Sequence, residues 1–228
     1  MASASAAEQD YLKHIYLQQE ESGRATTHEL ADRLRVKPPS VTAMFKRLAD
    51  HPGGPLVAHT PYHGVVLTDK GLAVALEVLR HHRLIELFLS EFLDVPWDRV
   101  HEEADRLEHV LSEELEDRIA TKLGQPTRDP HGDPIPSREG WMDFVSGVAL
   151  DTLPVGQCAT VARVPDGDPA LLQYLESLGL VPGASVTIEA TAPYGDVLTL
   201  RIGETTHAVG GSVARRLLMI LPESGEAR

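Results

Sequence analysis

Two consecutive prolines, Pro38 and Pro39, constrain the N-terminal part of this 228-residue chain more than any other feature. Proline denies the α region to the residue before it, so a helix that approaches this pair must end near Arg35. Proline is tolerated in the first turn of a helix, so a new helix can begin at Pro39 and continue to about Ala49. The pattern therefore predicts a short helix at His28–Leu34, a tight turn and a second helix.

The charge of this helix pair differs from that of the whole chain. Residues 24–47 contain six Lys and Arg against two acidic residues, whereas the full sequence has a net charge of −13. A helix pair with a basic second helix is typical of a helix-turn-helix, whose second helix enters the DNA major groove. A helical hairpin that packs only on itself is the alternative, but it gives the basic side no role. The DNA-facing residues predicted on this side are Lys37, Pro39, Ser40, Thr42, Ala43, Lys46 and Arg47.

Two apolar stretches after the helix pair, Leu56–His59 and Val65–Leu67, predict short strands joined by the turn TPYHG. A hairpin at this position is the wing of a winged helix. An amphipathic helix at 6–22 precedes the pair, since its apolar residues recur at helical spacing. Residues 1–73 are thus predicted to form a winged helix-turn-helix domain that binds double-stranded DNA.

A second predicted region, residues 74–140, contains two further helices. Leu72–Phe92 is apolar nearly all round, which indicates burial both against its own domain and against the partner subunit of a homodimer. A helix at 97–122 is predicted to follow. Residues 124–139 hold four prolines and two glycines, so they predict a linker or irregular loop in which His131 and Asp133 have no special role.

These two helices carry a cluster of side chains that can bind a metal. At 3.6 residues per turn, positions 101, 105, 108 and 109 share one face, and positions 82 and 86 are one turn apart. Imidazole and carboxylate ligands without a thiolate favour a harder divalent transition metal. The alternative is a solvated acidic surface, since 74–140 contain 16 acidic against 8 basic residues. The cluster consists of His82, Glu86, His101, Asp105, Glu108 and His109.

The C-terminal part has a different texture. Residues 153–164 and 186–213 are rich in Val, Thr and Ile and are interrupted by turn signals such as PDGD and APYGD. Several short strands in such a length predict a small β-barrel at 150–223. The predicted fold class is therefore α+β: a winged helix, a helical dimerisation and metal-binding domain, and a small barrel.

Composition excludes several classes of protein. No apolar run approaches the roughly 20 residues needed to cross a membrane, so no membrane partner is expected. The start, MASASAAEQD, has neither a basic segment nor an apolar core, so we expect no signal peptide. The chain has one cysteine, Cys158, so no internal disulfide is possible and the reducing cytoplasm is the expected compartment.

The order of these parts, and several motifs within them, resemble the diphtheria-toxin-repressor family of metal-dependent transcription regulators. The resemblance covers nearly the whole chain, and the barrel with LLQYLESLGLVPG looks like the ferrous-transport-A-type domain of the longer members. Its most specific motifs are DYLKHIYLQQEE at 10–21, ELADRLRVKPPSVTAMFKRL at 29–48, HRLIELFL at 82–89, VHEEADRLEHVLSEELE at 100–116 and DPHGDPIP at 129–136.

The resemblance implies two metal sites. One joins Asp10 to Asp105, Glu108 and His109, although on local grounds Asp10 could simply complement the N-terminus of its helix. The other uses His82, Glu86 and His101, with Asp168 as the nearest barrel candidate for a further ligand. Lys13 stands where the manganese-sensing branch often has a second acid, so two separated sites are expected rather than a closely spaced two-metal cluster.

The resemblance also implies the metal and the function. Asp10 and Asp105 stand where the iron-sensing branch usually has methionine and cysteine, and this harder ligand set favours Mn(II), with Fe(II) as the alternative. The expected function is a Mn(II)-activated homodimeric repressor of metal-uptake genes that binds operator DNA and has no catalytic residues. A metalloenzyme and a metal-buffering or transport-accessory protein are the competing interpretations, and activation of transcription is a further possibility within the family.

Overall fold

The structure is a computed structural model that describes residues 4–60, 64–144, 146–193 and 196–222. The described part of the chain contains helices and strands in mixed order. The helices are α1 (Ala6–Ser22), α2 (Thr27–Arg33), α3 (Pro38–Ala49), α4 (Asp69–Leu93), α5 (Val100–Leu107), α6 (Glu113–Lys122), α7 (Pro169–Leu178) and α8 (Gly211–Ala214). The strands are β1 (Val57–Thr60), β2 (Gly64–Leu67), β3 (Val148–Ala149), β4 (Cys158–Arg163), β5 (Ser185–Thr191), β6 (Val197–Ile202), β7 (Thr205–Gly210) and β8 (Leu218–Ile220).

The chain divides into two compact units. The first comprises Met1–His82, Asp105–Glu116 and Pro136–Trp141, and the second comprises Arg83–Ala104, Asp117–Ile135 and Met142–Arg228. Helices α4, α5 and α6 therefore each contribute residues to both units. None of the helices among the described residues combines the length and apolar character needed to cross a membrane.

The first unit contains the predicted helix-turn-helix and its wing. Thr26 caps α2 by accepting a hydrogen bond from the Glu29 amide, and α3 begins at Pro38, one residue before the predicted start at Pro39. Strands β1 and β2 pair antiparallel, although the turn residues 61–63 lie outside the described residues. Helices α1, α2 and α3 contribute fully buried side chains to the core of this unit, among them Leu12, Ile15, Leu30, Val41, Phe45 and Leu48.

The predicted single helix at 97–122 is wrong, because the chain forms two helices, α5 and α6, separated by a turn at 108–112. Ser112 begins α6: its carbonyl accepts from the Glu116 amide at 2.9 Å and its hydroxyl from the Leu115 amide at 3.3 Å. Serine is a favoured helix cap, and three acidic residues in the first turn of α6 add to this signal. Glu108 and His109 therefore lie on a turn rather than on a helix face.

The second unit contains an antiparallel six-stranded sheet in the order β3-β8-β4-β5-β6-β7. Helix α7 connects β4 to β5 and ends at Gly179, whose φ of 74° is left-handed. The apolar core of this sheet is formed by buried side chains from most of its strands and from α7, including Val161, Leu172, Leu175, Ile188, Leu200 and Met219. The predicted small β-barrel is thus present as an antiparallel sheet, in which no strand pairing among the described residues joins the edge strands β3 and β7.

Candidate metal centre

The centre of the candidate site in the first unit is Glu108, a carboxylate with only 1% of its surface exposed. The Lys13 ammonium donates to both of its oxygens, at 2.7 and 2.8 Å, and Nδ1 of His82 lies 2.5 Å from Oε2. Burial raises the pKa of Glu108, but the His82 hydrogen bond and the Lys13 charge outweigh it, so the pKa is lowered. Glu108 is therefore a buried carboxylate that is held in its ionised form by charged and polar neighbours.

Lys13 links α1 to this carboxylate and to a second one. Its Nζ lies 2.9 Å from Oδ1 of Asp105 and 3.4 Å from Nδ1 of His82, and the residue is 3% exposed. Burial lowers the pKa of Lys13, but the charges of Glu108 and Asp105 raise it by a larger amount. The pKa is therefore raised overall. The ligand atoms of His82, Asp105 and Glu108 lie within 4.8 Å of one another, and the Lys13 ammonium donates hydrogen bonds to both carboxylates.

Next to this group, His109 connects the turn at 108–112 to α1. Its Nε2 lies 2.8 Å from Oδ1 of Asp10, and its Nδ1 lies 2.8 Å from Oε1 of Gln9. The ligand atoms of Asp10, Glu108 and His109 all lie within 4.8 Å of one another. Two carboxylates and one imidazole at this spacing form a donor set that fits a divalent ion such as Mn(II) or Fe(II). Three of the four residues expected in the first site are thus brought together, and Asp105 shares the other group with Glu108 and His82.

Asp10 could instead have complemented the N-terminus of α1, but another residue has that role. Glu8 is the acidic residue of the first turn, and it accepts from the Ser5 amide at 2.8 Å and the Ser5 hydroxyl at 2.6 Å. Arg47 of α3 also donates to Glu8, at 2.8 Å. The Ser-x-x-Glu spacing at 5–8 is a capping-box signal in the sequence, and it leaves the Asp10 carboxylate available for His109.

The second set of predicted ligands involves α4 and α5. In the second unit, Nδ1 of His101 lies 3.1 Å from Oε1 of Glu86, which is completely buried. His82 precedes Glu86 by one turn on α4, as its spacing in the sequence requires. Asp168 is used differently: its carboxylate caps α7 by accepting from the amides of Ala170 and Leu171.

The predicted DNA-facing residues form the exposed side of α3 and the residue before it. All seven are exposed, and the first turn of α3 contains no acidic residue. Two of the seven have intramolecular partners that the sequence did not predict. The Thr42 hydroxyl donates to the Pro38 carbonyl at 3.2 Å, and Arg47 pairs with Glu8.

The segment 129–135, expected to be an irregular loop without a core, is instead buried in the second unit. Oδ1 of Asp129 accepts from the amides of His131 and Asp133, both at 2.9 Å, and Arg83 lies 3.6 Å from Asp129 and 3.4 Å from Asp133. Burial raises the pKa of both aspartates, and the negative charge of Glu86 raises both further. The Asp-Pro-His-Gly-Asp turn residues and the family motif DPHGDPIP were the sequence signals of this ordered structure.

His14, beside Lys13 on α1, predicts a pH dependence of stability in metal-free protein. Burial, then the charges of Lys13 and Arg33, lower its pKa to about 4. Because this value lies below the unfolded value of 6.5, neutral His14 stabilises the fold above pH 6.5, and that stability is lost as pH falls towards 4. Urea unfolding with chelator at pH 7 and 4.5 should show that His14→Leu removes about 2–3 kcal/mol of this pH dependence.

The control is His28→Gln, which replaces an exposed histidine of the same unit. An equal loss of stability between the two pH values in His14→Leu and in the parent would show that His14 is not buried in its neutral form.

Comparisons with known proteins agree with this arrangement of elements. Residues 4–65 match the iron dependent repressor N-terminal DNA binding domain, residues 68–137 the metal binding and dimerisation domain of the same repressors, and residues 148–219 the FeoA domain. The iron-dependent repressor IdeR of Mycobacterium tuberculosis is 38% identical over 219 residues, which cover 87% of this chain and 94% of that protein. The diphtheria toxin repressor of Corynebacterium efficiens is 37% identical over 191 residues, covering 78% and 80% of the two chains.

Solved structures give the same result. A manganese-dependent transcriptional repressor in complex with manganese has a TM-score of 0.86 and 35% identity, and the match covers 94% of this chain and all of that one. Members of the family are DNA-binding transcriptional repressors and not enzymes, so the metalloenzyme interpretation does not apply. The three domain matches and the extent of the identity show that this chain belongs to the iron-dependent repressor family of metal-dependent transcriptional repressors.

Proposed function

We propose that this protein is a Mn(II)-activated homodimeric repressor that binds operator DNA in the cytoplasm and controls genes for metal uptake. The observation that carries the proposal is the contact between His109 and Asp10, 2.8 Å long, which joins the turn after α5 to the helix that packs on the helix-turn-helix. A metal held by Asp10, Glu108 and His109 adds a positive charge between these two parts of the chain.

The donor atoms support Mn(II) over Fe(II). All residues of the two proposed sites offer oxygen or nitrogen, which suits the harder ion, and the only cysteine lies on β4. The first site consists of Asp10, Glu108 and His109 with Asp105, and the second of His82, Glu86 and His101. Fe(II) remains the alternative, because curated relatives are named for iron whereas a similar solved structure is named for manganese.

Exposed apolar side chains around the turn at 108–112 support a homodimer. Leu107, Val110 and Leu115 expose 43%, 77% and 49% of their surface in the single chain. Exposed apolar residues within the matched dimerisation domain are the kind of surface that a second copy covers.

The exposed side of α3 supports binding to the DNA major groove. The side chains proposed to face DNA are small or basic, so we expect methyl contacts and DNA shape to contribute to specificity along with hydrogen bonds. Both subunits of a dimer must place this helix in grooves separated by about 34 Å or a multiple of it. The proposed interface consists of Lys37, Pro39, Ser40, Thr42, Ala43, Lys46 and Arg47.

The division of the chain into three functional parts is also a proposal. We assign DNA binding to residues 1–73, dimerisation and metal binding to 74–140, and a small SH3-like barrel to 150–223. The antiparallel order β3-β8-β4-β5-β6-β7 and the FeoA match support the barrel, with the closing contact proposed between its edge strands.

Substitution of Asp10 by alanine tests the link between metal and DNA binding. We expect a folded dimer whose binding to the promoter region of its own gene needs at least tenfold more Mn(II), because one ligand of the first site is lost. Gel shifts with Mn(II), Fe(II) and Zn(II), each with and without chelator, measure this requirement. The control is Glu20→Ala, an exposed residue of the same helix, which should behave as the parent.

Two outcomes count against the proposal. If Asp10→Ala responds to Mn(II) like the parent, then the ion does not act through this contact. If operator binding by the parent is unchanged by chelator, then DNA binding does not depend on the metal at all.

A further inference from the structure

His81 is a buried histidine of α4 that belongs to neither of the two proposed metal sites. Its Nδ1 lies 3.1 Å from the backbone carbonyl of Glu108. A carbonyl oxygen only accepts hydrogen bonds, so Nδ1 carries the proton of this contact. In a neutral imidazole the other nitrogen, Nε2, then has a free lone pair, which is the form that binds metals. The hydrogen bond therefore determines which atom of His81 can be a ligand.

The Nε2 atom of His81 faces carboxylate oxygens. It lies 3.1 Å from Oε2 of Glu116 and 4.0 Å from Oε1 of Glu113, two residues of the first turn of α6. A ring nitrogen of His81, a carboxylate oxygen of Glu77 and one of Glu113 also lie within 4.8 Å of one another. Carboxylate oxygens repel a nitrogen lone pair unless a cation lies between them, either a metal ion or a second proton on the ring. One imidazole and three carboxylates are a donor set that suits a divalent transition metal.

Two arginines hold the carboxylates of α6 by their other oxygens. Arg80 donates to Oε1 of Glu116, and Arg138 donates to Oε2 of Glu113 at 3.2 Å. The oxygens that remain, Oε2 of Glu116 and Oε1 of Glu113, are the two that face His81. Hydrogen-bonded outer groups orient the ligands of metal sites in this way. The arrangement therefore aims two carboxylate oxygens at the imidazole before any ion binds.

A pocket of about 640 Å³ in the first unit gives ions from solvent access to this group. Its lining comes from α4, from the first turn of α6 and from residues 137–140, and it includes Glu77, Glu113 and Glu116. Glu77 is exposed and lies one turn before His81 on α4, so its carboxylate is on the same side of the helix as the imidazole. The three carboxylates outnumber the two arginines, so the group keeps a negative charge that attracts a cation.

We propose that His81, through Nε2, and the carboxylates of Glu77, Glu113 and Glu116 bind a further divalent transition-metal ion in the first unit. This site is additional to the two sites of the proposed function and shares no ligand with them. For nitrogen and oxygen ligands, Zn(II) generally binds more tightly than Mn(II) or Fe(II), so Zn(II) is the probe for this site.

The test uses the full-length protein and three variants. His81→Gln removes the imidazole, and Glu77→Gln removes the charge of an exposed ligand, which keeps the test valid if the first variant does not fold. Glu139→Gln is the matched control, because Glu139 lines the same pocket and loses the same charge but is not part of the ligand group. Circular dichroism verifies folding, and equilibrium dialysis with Zn(II) gives the number and affinity of bound ions.

We expect one Zn(II) ion to bind at least about tenfold more weakly in His81→Gln and in Glu77→Gln than in the parent, and Glu139→Gln to match the parent. In ¹⁵N-histidine spectra of the parent, saturating Zn(II) should shift the Nε2 resonance of His81 and leave Nδ1 protonated. Unchanged Zn(II) number and affinity in either ligand variant would overturn the inference. An Nε2 atom that stays protonated in saturating Zn(II) would also overturn it, because a second ring proton would then lie where the metal is proposed.

The same dialysis separates this inference from the proposed function. Asp10→Ala should keep the His81 ion, and adding Glu77→Gln to that variant should weaken this ion as it does in the parent. If operator binding is indifferent to metal while Glu77→Gln still weakens one ion, the proposed function fails and the His81 site stands. If operator binding needs metal and Glu77→Gln binds Zn(II) as the parent does, the site fails and the function stands.

Discussion

Glu108→Ala is expected to destabilise the metal-free protein by about 3–5 kcal/mol, because the substitution leaves the buried Lys13 ammonium without its main partner. Both Glu108 oxygens accept from Lys13, and one also lies 2.5 Å from His82, in a site with almost no solvent exposure. Urea unfolding in the presence of chelator measures the change in the free energy of unfolding. The variant should also lose the Mn(II) ion proposed for Asp10 and His109.

Asp105→Ala is the matched control for this prediction. Asp105 contacts the same ammonium at 2.9 Å, but 48% of its side chain is exposed, so its loss should cost about 1 kcal/mol or less. Removing both buried charges in Lys13→Met/Glu108→Leu should recover most of the stability lost in Glu108→Ala. If Glu108→Ala is no more destabilising than Asp105→Ala, then the pair between Lys13 and Glu108 is not a buried ion pair.

Lys13→Glu should create an additional metal-binding site at the position of the ammonium. The new carboxylate would join Asp105, Glu108 and His82, whose ligand atoms lie within 4.8 Å of one another. Without metal, three carboxylates in a largely buried cluster repel one another, so we expect the metal-free variant to lose several kcal/mol of unfolding free energy. Mn(II) should restore stability, by about 2.7 kcal/mol at a concentration 100 times its Kd, and one more ion per chain should bind than in the parent.

Lys13→Met is the control, since it removes the ammonium and adds no ligand. It should bind the same number of ions as the parent. Equilibrium dialysis counts the ions, and urea unfolding with and without Mn(II) measures the stability. An unchanged number of ions in Lys13→Glu would show that the ammonium does not occupy a site suited to a cation.

Local signals in the sequence were sufficient where a short segment decides its own structure. The helix at 6–22 and the break before Pro38 follow from residue spacing and from proline geometry, and both are present as predicted. Ser112 is a signal of the same kind, because serine is a favoured helix cap and the turn that follows it is acidic. It begins α6 and so divides the predicted single helix into two. The resulting turn places Glu108 and His109 differently from the expected helix face.

Long-range packing decided what local spacing could not. Lys13 and Glu108 are 95 residues apart, so no local pattern could predict their ion pair. In the sequence, Lys13 was notable only because it stands where related proteins often have an acidic residue. Asp166 and Asp168 are both aspartates and are two positions apart. Only Asp168 directly precedes α7, so it is the one that caps this helix. The burial of His131 depends on Trp97 and on the approach of β4 to Gly132.

The sequence by itself determined the helix-turn-helix, the type of each ligand and the family, because these depend on residue identity and on spacing over a few turns. Only the tertiary structure decided which carboxylate holds the lysine, which aspartate caps a helix and which nitrogen of His81 faces carboxylates. These outcomes depend on which distant segments exclude water from one another, and that exclusion is a property of the packed chain.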